Sequence, residues 1–178
     1  VCLITLNRPD KRNAVDGPTA LQLRDAFLRF EADDALRVAA LSGAGGHFCA
    51  GADLGAINDP ARRHELDPQG GGSGPMGPSR LALSKPLIAA INGPASGVGL
   101  CLALYCDLRY VAAGAKLSFP YARRGLVAEH GIAWLLPRLI GPLATSELLL
   151  TGRTFPAEEA DRMGLARALP AEGFLDAV

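Results

Sequence analysis

Four short apolar runs set the frame of this chain: VCLITL at 1–6, RVAALSG at 37–43, PLIAAI at 86–91 and LRYVAAG at 108–114. Each is mainly apolar, and NRPDKRN closes the first as a turn-former, so each reads as a buried strand. The stretches between them carry helical spacing. Asp16-Gly17-Pro18 gives a helix start with proline near the first turn, and Leu21, Leu23, Phe27, Leu28 and Phe30 supply its apolar face. LCLALYCD reads as an apolar helix entered from the tight turn NGPASGVG. GIAWLLPRLI and ATSELLLTG read as helices. A turn at TGRTF then leads to PAEEADRMG, whose proline, early acids and final glycine mark both helix ends. A further short strand is expected near KLSF, and SRLALSK reads as a helical turn or two before PLIAAI. Buried strands alternating with helices mean an α/β architecture.

A length of 178 residues suits one domain, spanning 1–178, with enough chain to bury a core. Lys+Arg and Asp+Glu are both 18, so the formal net charge is zero. That balance argues against nucleic acid and against an anionic membrane surface as partners. Cys2, Cys49, Cys101 and Cys106 form no C-x-x-C pair and imply no disulfide framework. The apolar stretch from Leu87 to Leu104 is broken by Asn92, Gly93, Pro94, Ser96, Gly97 and Gly99, so no membrane span is expected. These features lead us to expect a cytoplasmic protein. Residues 59–78 contain DPQGGGSGPMGP and read as a flexible loop. The chain opens inside a strand-like run without Met and stops at FLDAV, which reads as a helix start, so it is expected to be part of a longer protein.

Two glycine-rich junctions stand out, HFCAGADL at 47–54 and NGPASGVG at 92–99. Each places backbone N–H groups at the start of a helix, where the amide dipoles favour an anion. Brought together, the two would share one carbonyl oxygen as an oxyanion hole. On composition alone the plainer reading, glycines that merely permit tight turns, is favoured. Other chemistries fail on spacing. His47 and His64 lack metal-ligand spacing, so no metal is expected. Ser96 sits in G-x-x-S-G rather than the G-x-S-x-G elbow, and no G-x-G-x-x-G dinucleotide fingerprint is completed.

NRPDKRNA (7–14), HFCAGADL (47–54), KPLIAAINGPASGVG (85–99), CDLRY (106–110) and TGRTFPAEEADRMGLA (151–166) occur in order at fitting separations. Together they resemble the enoyl-CoA hydratase/isomerase family, the crotonase superfamily. The resemblance implies a spiral of ββα units, a homotrimer or hexamer, and a last helical part lying beyond residue 178. It implies an acyl-CoA thioester as substrate, with coenzyme A part of that substrate and no separate cofactor. It assigns the oxyanion hole to the amides of Ala52 and Val98, and Val98 is expected to narrow the acyl pocket where many relatives have glycine. It places CoA along the backbone of Asn13, Ala14, Ala50, Gly51, Asp53 and Leu54, with Arg12 near the phosphates. Gly97, Cys101 and Tyr121 join the substrate-binding set. For the Asp53 side chain a helix-capping role is the preferred reading.

The departures from the family pattern carry the finer reading. Hydratases of the family use two glutamates; Cys101 stands at the place of the first, and FPYARRG offers no acid at the second. Glu129, in RRGLVAEHGIAW, resembles the catalytic acid of Δ3,Δ2-enoyl-CoA isomerases, so one acid/base in an apolar pocket is expected. His130 beside it is a candidate to orient it, although a lone histidine is more often structural. Leu100 and Trp134 are candidates to shape the pocket. The alternatives are a hydratase using Glu129 with a second group, and a non-catalytic acyl-CoA binder that keeps the loops without the chemistry. A dienoyl-CoA isomerase would need a further acid near Cys101. Some relatives bind RNA, but the neutral composition offers no phosphate-binding footprint.

Overall fold

A computed structural model describes residues 1–56, 58–63 and 83–178. The four apolar runs form strands β1 (Cys2–Leu6), β2 (Ala39–Gly43), β3 (Leu87–Ile91) and β5 (Leu108–Ala112). With β8 (Arg167–Leu169) they make one sheet in the order β1-β2-β3-β5-β8, every pairing parallel. Parallel neighbours need crossovers; described helices lie in the β1–β2, β3–β5 and β5–β8 connections, and the β2–β3 connection runs partly outside the described residues. A second sheet, β4-β6-β7, joins β4 (Ala95–Ser96), β6 (Lys116–Ser118) and β7 (Thr154–Pro156), with β4/β6 parallel and β6/β7 antiparallel. Two of its strands depart from expectation. β4 lies inside what reads as a pure turn, and β7 occupies the expected TGRTF turn, because each finds a partner strand far away in sequence. SRLALSK and the 59–78 loop fall largely outside the described residues.

Helix α1 (Gly17–Ala32) begins as read: the Asp16 side chain accepts a hydrogen bond from the Thr19 amide at 3.1 Å, and Pro18 sits in the first turn. Its buried face is Ala20, Leu23, Phe27 and Phe30, while Leu21 and Leu28 point outward. Burying each of those two phenylalanines contributes about 1.5–3 kcal/mol. Helix α2 (Val98–Leu104) is buried over its whole length, as its unbroken apolar sequence requires. Helices α3 (Ile132–Ile140), α4 (Pro142–Thr151), α5 (Ala157–Arg162) and α6 (Phe174–Ala177) follow. Pro137 lies within α3. Among the described residues no helix is long and apolar enough to cross a membrane.

The two glycine-rich junctions are laced together by their backbones. Phe48 N–H and Cys49 N–H both donate to Pro94 O, and Ser96 N–H donates to Cys49 O at 3.0 Å. β4 is thus held on one side by Cys49 and on the other by β6. At Gly99, in the first turn of α2, an added methyl would sit 2.6 Å from the Cys49 Cβ and inside the envelope of the Cys49 carbonyl oxygen. Alanine ordinarily improves a helix interior by about 1 kcal/mol over glycine. Here overpacking against backbone, worth about 1–3 kcal/mol, wins. Gly99→Ala is therefore expected to lower the thermal midpoint by roughly 3–10 °C. An unchanged midpoint in a calorimetric scan would show that the junction has slack.

Candidate active site

The loop Arg8–Ala14 and the turn Cys49–Asp53 are built against each other. Ala50 N–H donates to Arg12 O, Val15 N–H to Gly51 O, and Asp53 N–H to Val15 O. Arg12 and Asn13 both adopt left-handed backbone, φ 50° and 57°. Asparagine tolerates that region well, and this one is held there by its own side chain. The Asn13 Oδ1 accepts from Arg8 N–H, and its Nδ2 donates to Ala44 O and His47 O at 2.9 and 2.8 Å. The Cys49 thiol, fully buried, donates to Asn13 O at 3.1 Å. Burial pushes that thiol up to about 12, so it stays a proton donor inside the loop.

One turn delivers Ala52 and the other delivers Val98. Gly51, at φ 104°, brings them together: a methyl there would lie 2.9 Å from Ser96 O and 3.7 Å from the Val98 nitrogen. Among the described residues neither the Ala52 N–H nor the Val98 N–H has a hydrogen-bond acceptor. Val98 heads α2, where the first amides have no partner within the helix. The CAGADL turn leads only into a single 3-10 turn, Leu54–Ala56, within the described residues, so its helix start is slighter than the sequence suggests.

Both amides border one cavity of about 370 Å³, a size that suits a small-molecule site. Of the expected site residues, Ala50, Gly51, Ala52, Leu54, Gly97, Val98, Tyr121 and Glu129 line it together. Five others do not. Arg12, Asn13 and Ala14 form the loop packed behind the turn. The Asp53 side chain caps the 3-10 turn by accepting from Gly55 N–H, as expected, and is otherwise taken up by arginines. Cys101 lies beneath the cavity, buried, with its Sγ 2.8 Å from the Tyr121 hydroxyl. Burial raises the Cys101 thiol to about 12, and burial together with the neighbouring Cys101 raises Tyr121 above its ordinary range, so both groups keep their protons. Leu100 is buried in the core, and Trp134 is 62% exposed with Arg138 over its ring at 3.9 Å, so neither shapes the cavity.

Glu129 is the one carboxylate among the described lining residues. Its side chain is half-exposed, since the segment Leu126–Gly131 lies largely at the surface, while most of the residues lining the cavity beside it are apolar. His130 Nε2 approaches its Oε2 at 3.9 Å, and the Tyr105 hydroxyl donates to His130 O, which fixes the backbone at φ 55°. His47 Nδ1 lies 3.0 Å from Gly45 O, and His64 lies outside the described residues. No group of three or more His, Cys, Asp or Glu among the described residues is arranged to hold a metal. Sequence reading missed Ser96, Pro120, Arg124 and Leu126 as lining residues. The ARRG run signals a turn, but nothing in it says which arginine faces the cavity: Arg123 turns away to donate to Thr151 O.

The family described as enoyl-CoA hydratase/isomerase matches residues 1–177. Mevalonyl-coenzyme A hydratase SIDH of Beauveria bassiana is 39% identical over 180 residues, covering 97% of this chain and 64% of the relative. Carnitinyl-CoA dehydratase of Proteus mirabilis is 41% identical over 176 residues, covering 97% and 66%. The chain thus spans about two thirds, or slightly less, of the length of these curated relatives. Among solved structures, an enoyl-CoA hydratase/isomerase from Pseudoalteromonas atlantica superposes with a TM-score of 0.88 at 31% identity, covering 98% of this chain and 68% of that one. Ordered motifs, parallel sheet and whole-chain similarity agree: the chain belongs to the enoyl-CoA hydratase/isomerase family and has its crotonase-like fold.

Proposed function

We propose that this chain carries the acid/base and oxyanion machinery of an acyl-CoA enzyme that shifts a double bond in an enoyl thioester. The observation behind the reading is the cavity itself. Two amides without acceptors among the described residues, Ala52 and Val98, share it with Glu129, the one carboxylate of its described lining. In this reading the thioester oxygen of a 3-enoyl-CoA takes both N–H groups. Glu129 removes a proton from the α-carbon, and the electron pair moves into the thioester as an enolate. The protonated Glu129 then returns that proton to the γ-carbon, and the double bond lies at the 2-position. No proton or electron is left over. Each oxyanion donor is worth about 10²–10³ in kcat, and a placed acid/base about 10²–10⁴. Coenzyme A enters as part of the substrate.

A second reading, hydration of a 2-enoyl-CoA, draws support from the names of the relatives, a hydratase and a dehydratase. It needs a further group to activate water. Tyr121 and Cys101, the nearest polar side chains at the place where hydratases carry an acid, hold their protons too tightly to act as bases. That favours the single-acid reading.

Side-by-side assays with 3-enoyl-CoA and 2-enoyl-CoA on the full-length protein decide between the two. The expected result is conversion of the 3-enoyl compound without hydration, followed as conjugation of the double bond. Rapid hydration of the 2-enoyl compound would sink the single-acid assignment. Glu129→Gln is expected to cut kcat by about 10²–10⁴ while acyl-CoA affinity changes little. Unchanged behaviour in that variant, with wild type inactive on both substrates, would leave a binding module rather than an enzyme.

A further inference from the structure

Beside the oxyanion turn, on the side away from the cavity lining, four charges meet. Asp53 follows Ala52 directly. Its Oδ2 accepts from Arg62 Nη2 at 2.6 Å and from Arg8 Nη2 at 3.0 Å, while its Oδ1 accepts from Gly55 N–H. Asp16, the cap of α1, completes the set: its Oδ2 lies 3.2 Å from Arg8 Nη2 and from both Nε and Nη2 of Arg62. Its Oδ1 is occupied by Thr19. Two carboxylates and two guanidiniums balance, and both aspartates are about nine-tenths buried. Arg62 is held by its main chain as well, since Gly17 N–H donates to Arg62 O at 2.7 Å. A methyl on Gly17 would fall 2.6 Å from Arg63 O, so the Asn58–Arg63 segment packs tightly over the start of α1.

Two consecutive peptide planes are held here: Gly51–Ala52 through Gly51 O, which accepts from Val15 N–H, and Ala52–Asp53 through Asp53. The Asp53 main chain is tied to Val15 O, and its side chain is gripped from two directions. The preceding peptide carries the Ala52 N–H. Planar fork geometry lets Arg62 bind both aspartates at once, which a lysine ammonium does not reproduce. Surface ion pairs are worth little, but this one is multiply connected and its carboxylates are nearly covered, while Arg62 keeps about a third of its side chain in water.

We infer that Arg62 is a positioning residue of the oxyanion hole, clamping Asp53 to Asp16 and thereby aiming the Ala52 amide into the cavity. The inference rests on the proposed role of that amide. The grip acts on a donor whose value depends on its placement, so it shows in kcat more than in substrate affinity. It also has a pH signature. Burial pushes the Asp53 carboxyl up, but the hydrogen bond from Arg8, that from Gly55 N–H and the charges of Arg62 and Arg8 outweigh it, holding the group below its ordinary value. Burial likewise raises Asp16, and Thr19, Arg62 and Arg8 together bring it below its ordinary value. Asp59 adds a further negative charge near Arg62. A depressed carboxyl contributes stability above its unfolded value and loses it as pH falls through the folded one. Removing Arg62 lets both aspartates rise, so the acid limb moves to higher pH.

The test is Arg62→Ala in the full-length protein, assayed on 3-enoyl-CoA and 2-enoyl-CoA beside wild type. Expected are a fall in kcat of about tenfold or more, KM within about threefold, and partial recovery with millimolar guanidinium. The acid limb of the kcat profile should shift to higher pH relative to wild type. Arg62→Lys should fall between the two, and it carries the same comparison where the alanine variant fails to fold. Wild-type kcat and an unmoved acid limb in either variant, with wild type active, overturn the positioning role and leave the reaction reading standing. A folded wild type inactive on both thioesters overturns the reaction reading, and the inference with it.

Discussion

The structure turns on a backbone-to-backbone contact: the first turn of α2 lies directly on the carbonyl of Cys49, with Gly99 supplying the missing side chain. From that contact the rest follows. Ser96 bonds to Cys49, β4 is placed between Cys49 and β6, and the Val98 amide emerges beside Gly51. The two turns meet largely through main-chain atoms, and the Arg62–Asp53–Asp16 clamp supports the Ala52 turn from behind. A site made of peptide N–H groups tolerates wide variation in sequence, since Val98 and Ala52 contribute through atoms that nearly every residue type owns. Side chains then matter as shape, as support, or as the acid.

Around this interlock the polar groups divide their duties by depth. Asn13 is buried and holds loop backbone; Cys49 and Cys101 are buried and protonated; Asp16 and Asp53 are buried and paired. Among the described residues Glu129 is the carboxylate that reaches the cavity, and it stays half in water. The cavity is thus lined mostly by apolar groups and main chain, with Glu129 and Arg124 as its charged side chains among the described residues. A buried charge without a partner would cost several kcal/mol, and the distribution avoids it: every buried carboxylate in this neighbourhood meets a guanidinium.

The strands and helices were largely legible because their signals are local. Aliphatic runs gave β1, β2, β3 and β5, and Asp16-Gly17-Pro18 marked the start of α1. β4, β7 and β8 were not legible, since runs of two or three residues become strands only through distant partners. Eight of the expected site residues line the cavity because motif resemblance fixes backbone positions. Side-chain directions were harder to read. Asp53 turned toward Arg8 and Arg62, Cys101 turned down under Tyr121, and Trp134 turned outward to Arg138. Arg62 carries no sequence signal at all, because its partners at positions 16 and 53 are set by the crossing of two segments.

Pairing of β1 with β2 and of β3 with β5 joins segments separated by whole helices, and β2 pairs with β3 across residues 44–86. Such a topology defers its rewards, since long loops must close before the ladder holds them. The turn bearing Ala52 and the turn bearing Val98 flank β3 on opposite sides in sequence and meet only once the middle of the sheet exists. Nascent or partly unfolded chains therefore present the two turns apart, without the shared cavity on which the proposed reading depends. Competence at this site is a late property of the chain, acquired in the same cooperative step that makes the protein compact.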